Sequence, residues 1–164
     1  MTYYDNARYR DGSLRPAEPK EFPWLDPRSA DPVFYDGRWY PSAENAFQAA
    51  RFGDRRMKSK IARMEPASAA YTGAVSRHSM PDDGPEAIRA MYRVMLSKFS
   101  DPAMRDRLLS TGMRPLTIRN ARHDNLWGTC TCRKCRHGGE DRLGIILEKL
   151  RSDLRENDRA ARTA

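Results

Sequence analysis

Cys130-Thr-Cys132-Arg-Lys-Cys135-Arg-His137 packs three thiols and an imidazole into eight residues. Zinc takes four such donors in a tetrahedron, and Cys132-x-x-Cys135 is a common zinc-knuckle spacing. Cys130 and His137 complete the ligand set, and His123 could replace either. Arg133, Lys134 and Arg136 would stabilise thiolates beside them. Such a metal would be structural, because a catalytic zinc keeps an open position and needs a separate three-ligand set. The competing reading is free thiols, with Cys130-x-Cys132 as a redox pair. An odd, tightly packed set does not suit a secreted disulfide framework.

The second chemical stretch is Tyr40-Pro-Ser-Ala-Glu-Asn-Ala-Phe-Gln-Ala-Ala-Arg-Phe52. Ser42 is placed to cap a helix. Ala43, Ala46, Phe47 and Ala50 then recur at helical spacing. Glu44 falls in the first turn, where the helix dipole favours an anion, and Gln48 follows at i+4 on the same side. One short helix therefore delivers a carboxylate and an amide to the edge of a core. Taken alone, it is also an ordinary way to begin a helix.

The elements that must position these residues are mostly helical. Val33-Phe34-Tyr35-Asp36-Gly37-Arg38-Trp39-Tyr40 is a hairpin signal, with Asp-Gly suited to a type I′ turn. After the Ser42 helix, patterns predict helices over Arg55–Arg63, from Pro66 to near Gly73, over Glu86–Phe99, over Pro102–Leu109 and from Leu143 to about Glu156. Over Glu86–Phe99, Ile88, Met91, Tyr92, Met95 and Phe99 form the apolar face. Leu116, Thr117 and Ile118 suggest a short strand. Residues 1–20 are expected to be a loosely held arm, 21–156 one domain with a cysteine-rich insertion at 128–139, and 157–164 a frayed polar tail. The expected fold class is α+β: a single compact, mainly helical domain with a small sheet or hairpin.

The chain has 164 residues, 32% of them charged and 39% hydrophobic, and a formal net charge of +8. No apolar run approaches the roughly 20 residues of a membrane helix, and the N-terminus lacks a signal-peptide layout. These features point to a soluble, cytoplasmic protein with no membrane partner. The basic balance suits an anionic ligand such as a nucleotide, a phosphate or nucleic acid. No dense basic block with interleaved aromatics supports dedicated nucleic-acid binding.

The order of several short motifs resembles the NADAR family. Phe34-x-x-Gly37 and Tyr40-Pro-Ser-x-Glu44-x-x-Phe47-Gln48-Ala49-x-Arg51-Phe52 resemble its opening. Met91-Tyr92-Arg93 leading to Lys98-Phe99 is similar to its middle helix, and Leu108-Leu109-x-Thr111-Gly112 to the element after it. Asp124-x-x-Trp127-Gly128 resembles its late catalytic loop. Gly139, Leu143-Gly144, Leu147 and Arg151 resemble its closing helix start. The match runs in order over about residues 33 to 151.

The resemblance implies N-glycosidase chemistry without an organic cofactor. Family substrates are ribosylamine-type riboflavin-pathway intermediates or ADP-ribosylated guanine, in which nucleic acid carries the modified base. It implies Glu44 as the group that activates water or stabilises the ribosyl cation. It implies Asp124 as the group that binds ribose hydroxyls or transfers a proton, and the two roles are exchangeable. Breaking a C–N bond at an anomeric carbon passes through an oxocarbenium-like cation, which suits such carboxylates. Gln48, Arg51, Lys98, Trp127 and Gly128 become candidate substrate contacts: Trp127 for stacking on a base, Arg51 and Lys98 for phosphate. Asn45 stands where the family commonly has His, Arg51 where it often has Lys, and Arg119 where an acidic residue is usual. The last of these moves charge from negative to positive and suits a more anionic substrate. The alternative function is a non-catalytic module that binds ADP-ribose or nucleic acid and is stabilised by zinc.

Overall fold

A computed structural model describes residues 11, 13–136 and 138–163 of the chain. Among them lie six α-helices, a short 3-10 turn at Pro23–Leu25 and two two-stranded sheets. The expected α+β class, mainly helical, is what the chain adopts. By its internal contacts the chain divides into two compact units, Asp26–Met104 and a second made of residues up to Leu25 together with Arg105 onward.

In the unit Asp26–Met104, β1 (Val33–Tyr35) and β2 (Arg38–Tyr40) form an antiparallel hairpin. Asp36 and Gly37 both have positive φ, at 50° and 74°, as a type I′ turn requires. The register pairs Val33 with Tyr40, both buried, and Phe34 with Trp39 on the exposed face.

Helix α1 (Ala43–Ala50) follows at once. Ser42 Oγ accepts from the Asn45 N–H at 3.2 Å and donates to Asn45 Oδ1 at 2.6 Å. Asn45 Nδ2 then reaches the carbonyls of Ile61 and Met64 at 2.8 and 2.9 Å. Both carbonyls lie at or just past the end of α2 (Arg55–Ile61). Asn45 thus ties the capped first turn of α1 to the chain segment that ends α2. Phe47, 1% exposed, contributes about 1.5–3 kcal/mol by burial.

α1 packs against α3 (Pro66–Val75) and α4 (Pro85–Lys98). α3, expected to end near Gly73, runs two residues past it to Val75. The glycine answers to close packing, not to chain reversal. On α4 the buried set is Ala87, Met91, Val94, Met95 and Lys98, whereas Ile88 is 38% exposed. The buried face is therefore turned away from Ile88, and it includes a lysine.

α5 (Pro102–Ser110) carries the chain into the second unit. Gly112 has φ +61°, the left-handed conformation that stops a helix. Ala17 is fully buried. Its N–H donates to the Pro115 carbonyl and its own carbonyl accepts from Thr117, at 2.8 and 3.1 Å. The expected loose arm is thus anchored at Ala17, while residues 1–10 and 12 of it lie outside the described residues.

The segment Leu116 to Ile118 is extended and largely buried. Regular strand pairing begins just beyond it, where β3 (Arg119–Asn120) runs parallel to β4 (Thr129–Cys130). α6 (Arg142–Thr163) buries Leu143, Ile146, Leu147 and Leu150. It extends well past Glu156, so the polar tail expected to fray is helical up to Thr163. No Gly or Pro follows Gly144 to stop it. No helix among the described residues is long and apolar enough to cross a membrane.

Candidate functional site

The residues singled out from sequence fall into two groups, one in each unit. In the unit Asp26–Met104, Glu44 and Gln48 on α1 and Arg51 at its C-cap stand at i, i+4 and i+7, one face of a helix. Gln48 Nε2 donates to Glu44 Oε1 at 2.8 Å, and Arg51 Nη1 donates to Gln48 Oε1 at 2.8 Å. The three are buried, with Glu44 8% exposed. Arg51 Nε also donates to the Met80 carbonyl at 2.7 Å, and Met80 N–H returns a bond to the Arg51 carbonyl. Burial pulls the Arg51 pKa below its ordinary value, against the pull of Asp82 and Glu44. The amide therefore has one orientation: its oxygen faces the guanidinium and its NH2 faces the carboxylate.

Gly73 closes this relay from α3. A Cβ there would lie 1.9 Å from Gln48 Oε1 and 2.9 Å from Arg51 Nη1. Sequence reasoning missed Gly73 as a positioning residue. The available signal was a glycine inside an otherwise helical pattern.

Lys98 makes a different set of contacts. Its Nζ lies 3.2 Å from Asp31 Oδ2 and donates to Ser29 Oγ at 2.8 Å, with the side chain 1% exposed. It ties the 29–31 segment to the buried face of α4.

The second unit holds Asp124, Trp127, Gly128 and the cysteines. Asp124 Oδ1 accepts from the N–H groups of Leu126 and Trp127 at 3.2 and 2.9 Å. Asn120 holds the other side of the loop. Its Nδ2 donates to the Asp124 carbonyl at 2.8 Å, and its Oδ1 accepts from the N–H groups of Arg122 and Asp124. Asn120 was also missed; an Asn at the end of a strand, before a polar loop, is the signal for such an Asx turn.

Trp127 is 8% exposed, and its carbonyl accepts from Leu143 N–H at 3.0 Å. A Cβ on Gly128 would sit 2.2 Å from the Ile118 carbonyl oxygen, and one on Gly144 2.5 Å from that of Leu116. The motif glycines are thus points of close backbone approach. Half-buried Asp141 accepts from Ile118 N–H at 3.0 Å, and its partial burial raises its pKa. Arg119 lies 3.6 Å from Glu18, a half-exposed pair that offsets part of its charge.

The donor atoms of His123, Cys130, Cys132 and Cys135 all lie within 4.8 Å of one another, and this group could hold a metal ion. His123 Nδ1 is 3.3 Å from Cys132 Sγ and 3.4 Å from Cys135 Sγ. The Cys135 N–H points at Cys132 Sγ and, as the largest cause, brings that thiol's pKa down to about 7. His137, the fourth ligand expected from spacing, lies outside the described residues. His123, its possible substitute, takes the position beside the thiols.

Comparison with known proteins places this arrangement. The chain is 29% identical over 130 residues to N-glycosidase YbiA of Escherichia coli (strain K12), covering 77% of this chain and 78% of that protein. It is equally similar over 129 residues to N-glycosidase YbiA of Shigella boydii. The NMR structure of the E. coli protein YbiA superposes with a TM-score of 0.74 at 24% identity, over 93% of each chain. The NADAR domain model matches residues 3–155, so the chain belongs to the NADAR family.

Proposed function

We propose that the protein is an N-glycosidase that hydrolyses the C–N bond between a ribose and a nitrogenous base. The observation that carries this reading is the Glu44–Gln48–Arg51 relay, a buried carboxylate oriented by a pinned amide. The family match and the curated relatives' name support the reaction class. Hydrolysis passes through a ribosyl cation whose charge develops at the anomeric carbon, and a fixed carboxylate in a poorly hydrated place stabilises it strongly. Glu44 is assigned that role, or the activation of the attacking water. Asp124 is assigned contact with ribose hydroxyls or proton transfer. Trp127 is assigned stacking on the base, Arg51 and Lys98 a phosphate role, and Gln48 and Gly128 contact with the substrate.

The substrate class is a phosphorylated ribosyl-amine of the riboflavin-pathway type or an ADP-ribosylated guanine, free or carried on nucleic acid, met in the cytoplasm. The +8 net charge suits the anionic end of this range. No organic cofactor enters the reaction. The cysteine cluster belongs to the same reading as a structural zinc site, since four protein donors close a tetrahedron and leave no position for water.

The test is chromatography of base or aminopyrimidine released from both substrate classes by purified protein. Release that rises with enzyme concentration supports the proposal. Tight binding of ADP-ribose with no release from either class makes the chain a binding module instead.

A further inference from the structure

The cysteine cluster shares a loop with Asp124, and this adjacency has a mechanical consequence. His123 is the residue before Asp124. Six residues, Asp124 to Thr129, separate it from Cys130 on β4. We propose that His123, Cys130, Cys132 and Cys135 bind one zinc ion, and that this ion is the staple that fixes the Asp124–Trp127 loop. The ligand set stands on geometry alone. The consequence for turnover rests on the N-glycosidase reading.

The distances favour an ion over any pair of sulfurs. Zinc bonds of about 2.3 Å to sulfur and about 2.0–2.1 Å to nitrogen set tetrahedral edges of roughly 3.8 Å for S–S and 3.5 Å for S–N. The His123 nitrogen is 3.3 and 3.4 Å from two sulfurs, close to that edge. A disulfide would use two thiols and leave the imidazole and the third thiol without a role. Three sulfurs and one nitrogen are a soft set that selects zinc over magnesium, calcium or manganese.

Two N–H groups already point at sulfur, Cys132 N at Cys130 Sγ and Cys135 N at Cys132 Sγ, as thiolates require. On binding, the three thiols release their protons to solvent. Three thiolates and neutral histidine then give the zinc site a net charge of −1, which Arg133, Lys134 and Arg136 in the same turn offset.

The backbone agrees. His123 has φ +62° and Arg136 φ +52°, left-handed conformations that a side-chain-bearing residue adopts at a cost. The turn at His123 puts its ring against the thiols, and a metal bond would offset that cost. Between the ligands the loop has its own ties: Asn125 Oδ1 accepts from Cys130 N–H at 3.1 Å, and Asp124 Oδ1 holds two amides. With zinc, His123 is fixed on one side of Asp124 and Cys130 on the other side of Trp127.

The experiment measures metal and loop order on the full chain. Elemental analysis should give about one zinc per chain. Cobalt in its place should show tetrahedral d–d bands and thiolate charge transfer. His123→Ala and Cys135→Ser should each weaken zinc retention at least roughly tenfold, and His137→Ala should retain it. Removal of zinc by chelation should speed amide exchange across residues 123–128 at least roughly tenfold, while the α1 amides stay protected. Base release should fall with zinc loss and return on zinc addition.

Less than half an equivalent of zinc, or full zinc in His123→Ala, overturns the ligand set. Unchanged loop exchange after zinc removal overturns the staple. Absence of base release from holoprotein on every substrate overturns the N-glycosidase reading alone, because metal content and exchange are read without it.

Discussion

Gly73→Ala tests whether the Gln48 amide is as tightly held as the geometry implies. The new Cβ would lie 1.9 Å from Gln48 Oε1, and real Cβ contacts are essentially never shorter than 3.0 Å. The amide must therefore retreat by 3.0 − 1.9 = 1.1 Å. It cannot do so and keep both of its 2.8 Å bonds, one from Arg51 and one to Glu44. Loss of one bond to a charged partner costs about 1.5–3 kcal/mol. Alanine in place of glycine inside a helix returns about 0.8–1.0 kcal/mol. The net loss is about 0.5–2 kcal/mol, or roughly 1–8 °C in Tm for a chain of this size.

Thermal melts followed by circular dichroism read this directly, and the sign reverses in a second background. With Gln48→Ala already present the 1.9 Å clash is gone and only the Arg51 Nη1 contact at 2.9 Å is left, which a shift of about 0.1 Å relieves, so Gly73→Ala should then stabilise by up to about 1 kcal/mol. A Gly73→Ala protein as stable as wild type, or the same effect in both backgrounds, would refute the claim that the amide is pinned.

Two further outcomes follow from the second unit. Gly128→Ala presses a Cβ against the Ile118 carbonyl at 2.2 Å, beside the 2.9 Å bond from Thr129 N–H to that oxygen. It should cost about 1–3 kcal/mol as overpacking, seen as a lower urea midpoint with an unchanged slope. Hydrogen bonding to Arg114, at 2.6 and 2.8 Å, holds the Glu21 carboxyl below its ordinary 4.5. The folded value is thus lower than the unfolded one, so protons favour unfolding. The pair's contribution is complete above about 4.5 and is lost as pH falls through the folded value. The stability gap between wild type and Glu21→Gln should close over that acid range, and a gap that stays constant on acidification contradicts the pairing.

Local signals carried much of this structure. Ser42 as a cap, Asp36-Gly37 as a type I′ turn and Gly112 as a helix stop are set by backbone preferences within a few residues. The relay was half legible: spacing put Glu44 and Gln48 on one side of a helix, and the motif order pointed to both. What spacing could not show is that Arg51 orients Gln48, because that depends on Gly73 and Met80 arriving from distant parts of the chain.

Lys98 illustrates the same limit. A lysine at the end of a helix normally reaches solvent, and only tertiary packing brings Asp31 to it. His123 stands seven residues before Cys130, and its approach to the thiols depends on a left-handed turn and the parallel pairing of β3 with β4.

The central claim is that Glu44 acts on the reacting bond, and Glu44→Gln tests it most directly. The substitution preserves shape and can keep the contact to Gln48 while removing the negative charge. Single-turnover release of base should fall by about 10²–10⁴-fold, the range of a positioned acid–base group, with ligand affinity by calorimetry and Tm nearly unchanged. Release at the wild-type rate from a folded Glu44→Gln protein would contradict the account.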